Sequence, residues 1–331
     1  MTVYTGGSAS VFYGYEATFG ATPADALIKY PFGLNQKVTN LSVNNTRLNF
    51  NKLGQVETTE FAYGQQAGSL GIGFVFDDTQ ASLLFASIYG TIATGGKYPA
   101  NKNQGSGTTT QVGRTLTTEI AVQMGTAEYK LRQLSGCVVN SLGLSTSIGE
   151  PVNGNIDMTF GKEVSSTLGA DNNGAIDSQT SDLQAGKPYT FAHGTFKVSN
   201  GSSMVSIGEV QSADVNWTQN SELLYGLGSH YAQGAFKKTL DISGKFKTSF
   251  KNDTMATHVL DQAKSSSNTV TLPDTGMGVG IELLFTNGTK SMKIELHDVA
   301  IGDYSVSGIE PVEPIFEDIS WKAKTALITI V

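Results

Sequence analysis

Three observations predict a mainly β chain. Glycine is heavily used (38 residues) and proline is scarce (8). Ser, Thr and Asn supply most other polar positions while Lys, Arg and Glu are few, a balance that suits strands and turns better than helices. Several segments also alternate apolar and small or polar residues with period 2. In one, Leu70, Ile72, Phe74 and Phe76 interleave with Gly71, Gly73 and Val75.

The stretch 215–260 organises the rest. It runs as an extended segment, a turn-rich excursion, an alternating strand and an Asp-capped helix, and residues 43–85 give the same order of events. Taken from the start, residues 1–35 hold short aromatic segments separated by turns. A strand leads into a polar, aromatic-studded excursion over 44–68, followed by the Leu70–Phe76 alternation. Asp78 or Thr79 is positioned to cap a helix carrying Leu83, Leu84, Phe85 and Ile88. A Gly/Ser/Thr/Asn-rich loop fills 94–112, and 114–163 then read as a meander of antiparallel strands.

Residues 164–187 are small, polar and acidic without apolar periodicity, which places a linker there. Afterwards the order repeats. Two strand segments precede a second excursion over 218–238, and a strand follows with Ile242, Phe246 and Phe250 on one face and Lys245 and Lys247 on the other. Asp253 then caps a helix with Met255, Val259 and Leu260.

Later matches stay in order: Gly125-Thr126 with Gly288-Thr289, Glu150-Pro151-Val152 with Glu310-Pro311-Val312, and Asp157 with Asp318. Ordered matches whose spacing drifts by only a few residues amount to an internal duplication. Each copy is long enough for its own core, so the expected division is a first domain over 1–163, a linker over 164–187 and a second domain over 188–331.

Composition excludes several function classes. A formal charge of −7 argues against a dedicated nucleic-acid binder, although not against a surface past which DNA slides. The single cysteine, Cys137, forms no internal disulfide and reads as a small core hydrophobe. The first residues lack a basic and apolar signal, no run approaches a membrane span, and synthesis in a cytoplasm is expected. His193, His230, His258 and His297 are scattered without metal-ligand spacing, and no serine-nucleophile elbow occurs. Asp171, Asn172, Asn173, Gly174 and Asp177 faintly suggest a calcium loop but miss the required spacing. No catalytic residue, metal or cofactor is expected.

The excursions depart from ordinary loop composition. The first contains Leu48, Phe50, Leu53, Phe61 and Tyr63; the second contains Leu223, Leu224, Tyr225, Leu227, Tyr231 and Phe236. Aromatic-rich excursions pack against something, either their own sheet or a partner. Their recurrence at one point in both halves favours a partner.

Three stretches carry a family resemblance: Tyr13-Gly14-Tyr15-Glu16 with Phe19-Gly20-Ala21-Thr22-Pro23, the run from Leu134 through Cys137 to Leu142, and ELLYGLGS over 222–229 with the strand after it. On these the chain resembles the major tail tube proteins of tailed viruses, in their form with two tandem tube domains. The resemblance implies two similar β-sandwich or partial-barrel domains, each with one flanking helix, in a structural virion protein.

It further implies rings that stack into the tube through which the genome passes, predicted here as trimers with pseudo-sixfold symmetry. Excursion residues Phe50, Phe61, Tyr63, Leu223, Leu224, Tyr225, Tyr231 and Phe236 would make the ring-to-ring contact. The strands of Leu70, Ile72, Phe74 and Phe76, and of Ile242, Phe246 and Phe250, would be staves of the inner barrel, with an acidic lumen and the face of Lys245 and Lys247 outside. Implied partners are other copies of the chain, the tape measure, tail terminator and baseplate or tip proteins, and DNA passing without specific binding; no membrane is involved.

Two rival classes remain: a β-rich adhesin or carbohydrate-binding module, for which a secretion route would be expected, and the tube protein of a secretion or contractile injection device, which shares the fold. An enzyme has the least support.

Overall fold

The computed structural model describes residues 9–23, 30–50, 53, 60–90, 97–98, 115–123, 129–168, 186–199, 204–206, 209–249, 279–288, 290–310 and 314–331. The predicted helix at Asp253, Phe250 and the candidate calcium loop lie outside these residues.

Strands dominate, as the composition predicts. The first half contributes β1 (Ala9–Tyr15), β2 (Leu34–Phe50), β3 (Glu60–Val75), α1 (Ala81–Tyr89), β4 (Lys97–Tyr98), β5 (Leu116–Gln123), β6 (Tyr129–Ser147), β7 (Asn153–Phe160) and β8 (Lys162–Leu168). The second contributes β9 (Gly194–Ser199), β10 (Met204–Ser206), β11 (Val210–Thr218), β12 (Glu222–Leu224), β13 (Gly234–Phe236), β14 (Asp241–Ser249), β15 (Val279–Asn287), β16 (Lys290–Ser307) and β17 (Phe316–Ile330).

All but β12 and β13 belong to one antiparallel sheet. Following hydrogen-bonded neighbours, the first half runs β2–β3–β7–β6–β5–β1 and the second runs β11–β14–β17–β16–β15–β9. Strands β7 and β8, interrupted at Gly161, take the place that the unbroken β17 holds in the second half. Even an irregularity recurs. The β5–β6 ladder slips between Leu116 and Thr118, and the β15–β16 ladder slips between Val279 and Ile281.

Two strands read from sequence as separate, EYKLRQLSG and VVNSLGLSTS, are one strand, β6. Gly136 carries the bend. Its φ of +66° is easy only for glycine, and a Cβ there would meet the Phe19 ring at 2.8 Å. Before the bend β6 pairs with β5 and β8; beyond it β6 pairs with β7 and β11. One strand thereby serves both layers over the core. The β8 assignment also means that 162–168 continue the sheet, so the polar stretch expected to begin a linker at 164 starts inside a strand.

The β6–β11 ladder joins the halves edge to edge, from Ser141 opposite Thr218 to Ser147 opposite Ser212. The apolar cluster is also continuous across them, with Leu142, Leu144, Val215 and Trp217 inside it. Helix α1 reaches over the joint, where Phe85 meets Trp217 edge-on at 5.3 Å and stacks against Phe76 at 6.2 Å. Neither Asp78 nor Thr79 provides the helix cap: the N-cap position is Gln80, which makes no side-chain cap bond. Asp77 instead holds the turn leading into α1, its Oδ1 accepting the N–H groups of Thr79 and Gln80, each at 2.7 Å. Asp78 instead accepts from the Lys187 N–H at 3.0 Å and lies 3.7 Å from the Lys290 ammonium.

One close approach occurs in both halves. Gly68 stands opposite Phe160 and Val43; Gly244 stands opposite Trp321 and Val215. A methyl group on Gly68 would overlap the Phe160 ring and the Ser42 carbonyl, and one on Gly244 would overlap the Trp321 ring and the Asp214 carbonyl. Gly68→Ala and Gly244→Ala are each expected to destabilise by about 1–3 kcal/mol in urea unfolding. Gly73→Ala meets nothing closer than 3.7 Å and is expected to be neutral or to stabilise by roughly 0.5–1 kcal/mol. Equal midpoints for all three variants would show that these two contacts do not set the packing.

Candidate assembly surface

The two excursions leave the sheet at equivalent points and take different forms. In the first half the β2–β3 ladder continues past the core as far as Phe50 opposite Glu60. The result is a two-stranded arm rather than a loop. On it Leu48, Phe50, Phe61 and Tyr63 are exposed, each by half or more of its surface. Strand propensity explains the form, because Leu, Phe and Tyr at alternate positions sustain a hairpin ladder.

In the second half the ladder stops at Thr218 opposite Asp241. Asn220, at a φ of +47°, turns the chain aside, and β12 and β13 pair as a small flap. The flap lies on the first half of the same chain. Ser221 donates from its N–H to Asn140 Oδ1 at 3.2 Å and from its hydroxyl to the Val139 carbonyl at 3.2 Å. The Tyr225 hydroxyl donates to the Gln66 carbonyl at 2.8 Å, while the Gln66 N–H donates to the His230 carbonyl at 2.8 Å. His230 Nδ1 sits 2.9 Å from the Gly64 carbonyl. Lys162 stands over the Tyr231 ring, and the Lys237 ammonium donates to the Ser87 carbonyl in the last turn of α1. A cation there complements the helix dipole.

The eight residues predicted to make the ring-to-ring contact therefore divide. Phe50, Phe61 and Tyr63 project on the arm. Leu224, Tyr231 and Phe236 are exposed on the flap, together with Leu227 at its tip. Leu223 and Tyr225 are half-buried, and Tyr225 is committed to its own chain through Gln66. The sequence reading missed Gln66, Asn140 and Lys237. Polar residues on a strand, at a strand bend and at a flap end carry no local signal of being partners.

The predicted stave residues Leu70, Ile72, Phe74, Phe76, Ile242 and Phe246 all point into the core. The opposite face of these strands and their neighbours is a polar surface, where Asp157, Asp214, Asp303 and Asp318 stand among Lys245, Lys247 and Lys322. Lys247 lies 3.9 Å from Asp318 and over the Phe316 ring. Asp214 accepts from the Lys245 N–H at 2.9 Å, and burial nevertheless raises its carboxyl above the ordinary value.

Among the described residues no group of three or more His, Cys, Asp and Glu is arranged to hold a metal. His193 contacts Thr190 in a short turn. Cys137 is fully buried, and burial pushes its thiol up to about 12, far from a nucleophile at neutral pH. Among the described residues no helix is long and apolar enough to cross a membrane.

A β sheet carried through both halves and aromatic projections at equivalent points are the marks of a building block. The family model described as phage tail tube protein matches residues 6–323. The chain belongs to the phage tail tube protein family. No curated protein matches it. As a phage tail tube protein it is a structural component of the viral tail, and the arm and flap are candidate surfaces for its assembly with other tail subunits.

The docked flap has a pH dependence. Burial lowers the Lys237 ammonium from its ordinary 10.5 to about 8. Between those values the undocked chain holds a proton that the docked chain has shed. Docking is accordingly weakest below the lower value and strengthens as pH rises through the window. The urea midpoint is expected to rise between about pH 8 and about pH 10.5, and Lys237→Met is expected to flatten that rise. An unchanged slope in the variant would place the titration elsewhere.

Proposed function

We propose that three copies of the chain close into a ring with pseudo-sixfold symmetry, and that such rings stack into the tube through which the viral genome passes. The observation that carries this reading is the β6–β11 ladder. Two halves with one strand order are already joined edge to edge, so each chain supplies two consecutive positions of a six-position ring. Closure would remove the open sheet edges that otherwise invite uncontrolled pairing.

The polar sheet face lines the lumen in this arrangement, because the other face is committed to the core. Acidic and basic groups alternate on it, which offers the DNA backbone no continuous basic track to grip. The two lysines expected on the outside then stand in the lumen beside aspartates. The exposed aromatics of the arm and flap contact the neighbouring ring. Exposed apolar groups concentrated on two projections fit that use better than scattered surface residues do. The tape measure, terminator and tip proteins meet the tube at its ends, the virion tail being the final location.

Native mass measurement with negative-stain microscopy tests the stoichiometry. Three chains per ring are expected, and six would overturn the duplication argument. Leu224→Ser with Phe236→Ser changes only exposed flap positions. The double variant is expected to keep its unfolding midpoint and its rings while losing long tubes. Tubes of normal length would remove the flap from the ring-to-ring contact.

A further inference from the structure

We infer that a cavity at the foot of the β6–β11 joint receives the arm of a second copy of this chain, seated through the arm face that carries Arg47, Phe61 and Tyr63. The inference rests on the ring-stacking reading above and names the receptor for the arm.

The cavity measures about 410 Å³. Phe191, Phe196, Val210, Leu283 and Phe285 form its apolar walls, and the exposed Ile148 borders it. An apolar cavity of roughly 150 Å³ takes a benzene ring, so this one has room for two aromatic side chains. Thr146 lines it as well. Its hydroxyl is buried and makes no hydrogen bond among the described residues. A hydroxyl left so in an apolar wall is costly until an occupant bonds it. Glu209 is the one charged residue among those described around the cavity.

Strand direction sets the arm and the cavity at opposite ends of the sheet. β2 corresponds to β11, since Val43 opposes Gly68 as Val215 opposes Gly244. The cavity gathers around residues 209–213, where β11 begins. The arm runs on beyond Thr46, which corresponds to Thr218 at the end of β11. Like rings stacked head to tail therefore turn the arms of one toward the cavities of the next. Such a heterologous contact repeats without closing, which suits a tube.

Ladder pairing divides the arm into two faces. Arg47 opposes Tyr63 and Asn49 opposes Phe61, so these four share a face; Leu48 with Ala62 and Phe50 with Glu60 share the other. The first face matches the cavity group for group. The exposed rings of Phe61 and Tyr63 supply the apolar bulk, and the Tyr63 hydroxyl supplies a partner for Thr146. The Arg47 guanidinium supplies a cation for the Glu209 carboxylate. The second face would instead bring Glu60 against Glu209.

Charge exchange tests the pairing, with tubes followed by negative-stain microscopy and sedimentation over a dilution series. Arg47→Glu and Glu209→Arg, each alone, are expected to raise the protein concentration needed for tubes by about tenfold or more, with rings and unfolding midpoints kept. The double exchange is expected to restore tubes. Thr146→Val is expected to leave the isolated protein as stable or more so and still to weaken tube formation, an effect that a purely structural threonine would not have. If Glu209→Arg blocks tubes while Arg47→Glu forms them as the wild-type chain does, the cavity takes another partner and the arm is not its occupant. A double exchange that rescues nothing likewise overturns the contact and leaves the rings standing. A wild-type chain that forms no rings at any concentration overturns the ring reading and this contact with it.

Discussion

The short ladder between β6 and β11 is the constraint on which the structure depends. It requires β6 to be long enough to pair with β5 on one stretch and β11 on the next, with the bend at Gly136 between them. It also requires a small residue at the middle of the joint. A Cβ on Gly143 would overlap the Asn155 side chain and stand 2.8 Å from the Asn216 side chain. Once the ladder forms, Trp217 and Val215 are sealed against the first half, and α1 closes over them through Phe85. Backbone bonds set the alignment of the halves, and the apolar cluster beneath holds it.

The same joint explains why equivalent excursions differ. After Thr218 the chain finds the first half alongside it, and β12 and β13 settle there through Asn140, Gln66 and Ser87. After Thr46 no such neighbour stands beside the chain among the described residues. The β2–β3 ladder simply runs on to Phe50. The conformation of each excursion follows from what stands beside it rather than from its own composition, which is similar in the two. The arm has the solvent-facing apolar surface expected of an element whose partner lies in another subunit.

Much of the fold was legible because strand patterns are local. Period-2 alternation located β3 and β14, where Leu70, Ile72, Phe74, Ile242 and Phe246 are buried. The recurrence of the two halves was visible in Val43 and Val215, which stand at matching ladder positions. The cap of α1 was misplaced: neither Asp78 nor Thr79 holds it, and the N-cap position is Gln80. Backbone geometry gives Asp77, rather than its neighbour, the turn that leads into the helix. The arm was read as an irregular excursion because its polar residues hide a ladder with no buried face. Aromatic composition drew attention to the arm and flap but gave no means of telling Tyr225, tied to its own chain, from the exposed Leu224.

What the sequence determined by itself was the β class and the places of its alternating strands. Each is a property of residue types and their spacing. The tertiary structure decided that the halves share one sheet and that the flap of one lies on the other. Those outcomes depend on pairing between segments far apart in the chain, which local patterns do not encode. The stretch 215–260 shows the division well. Its strand was written in alternating residues, while its place beside β6 was settled only when Trp217 met Leu142 across the joint.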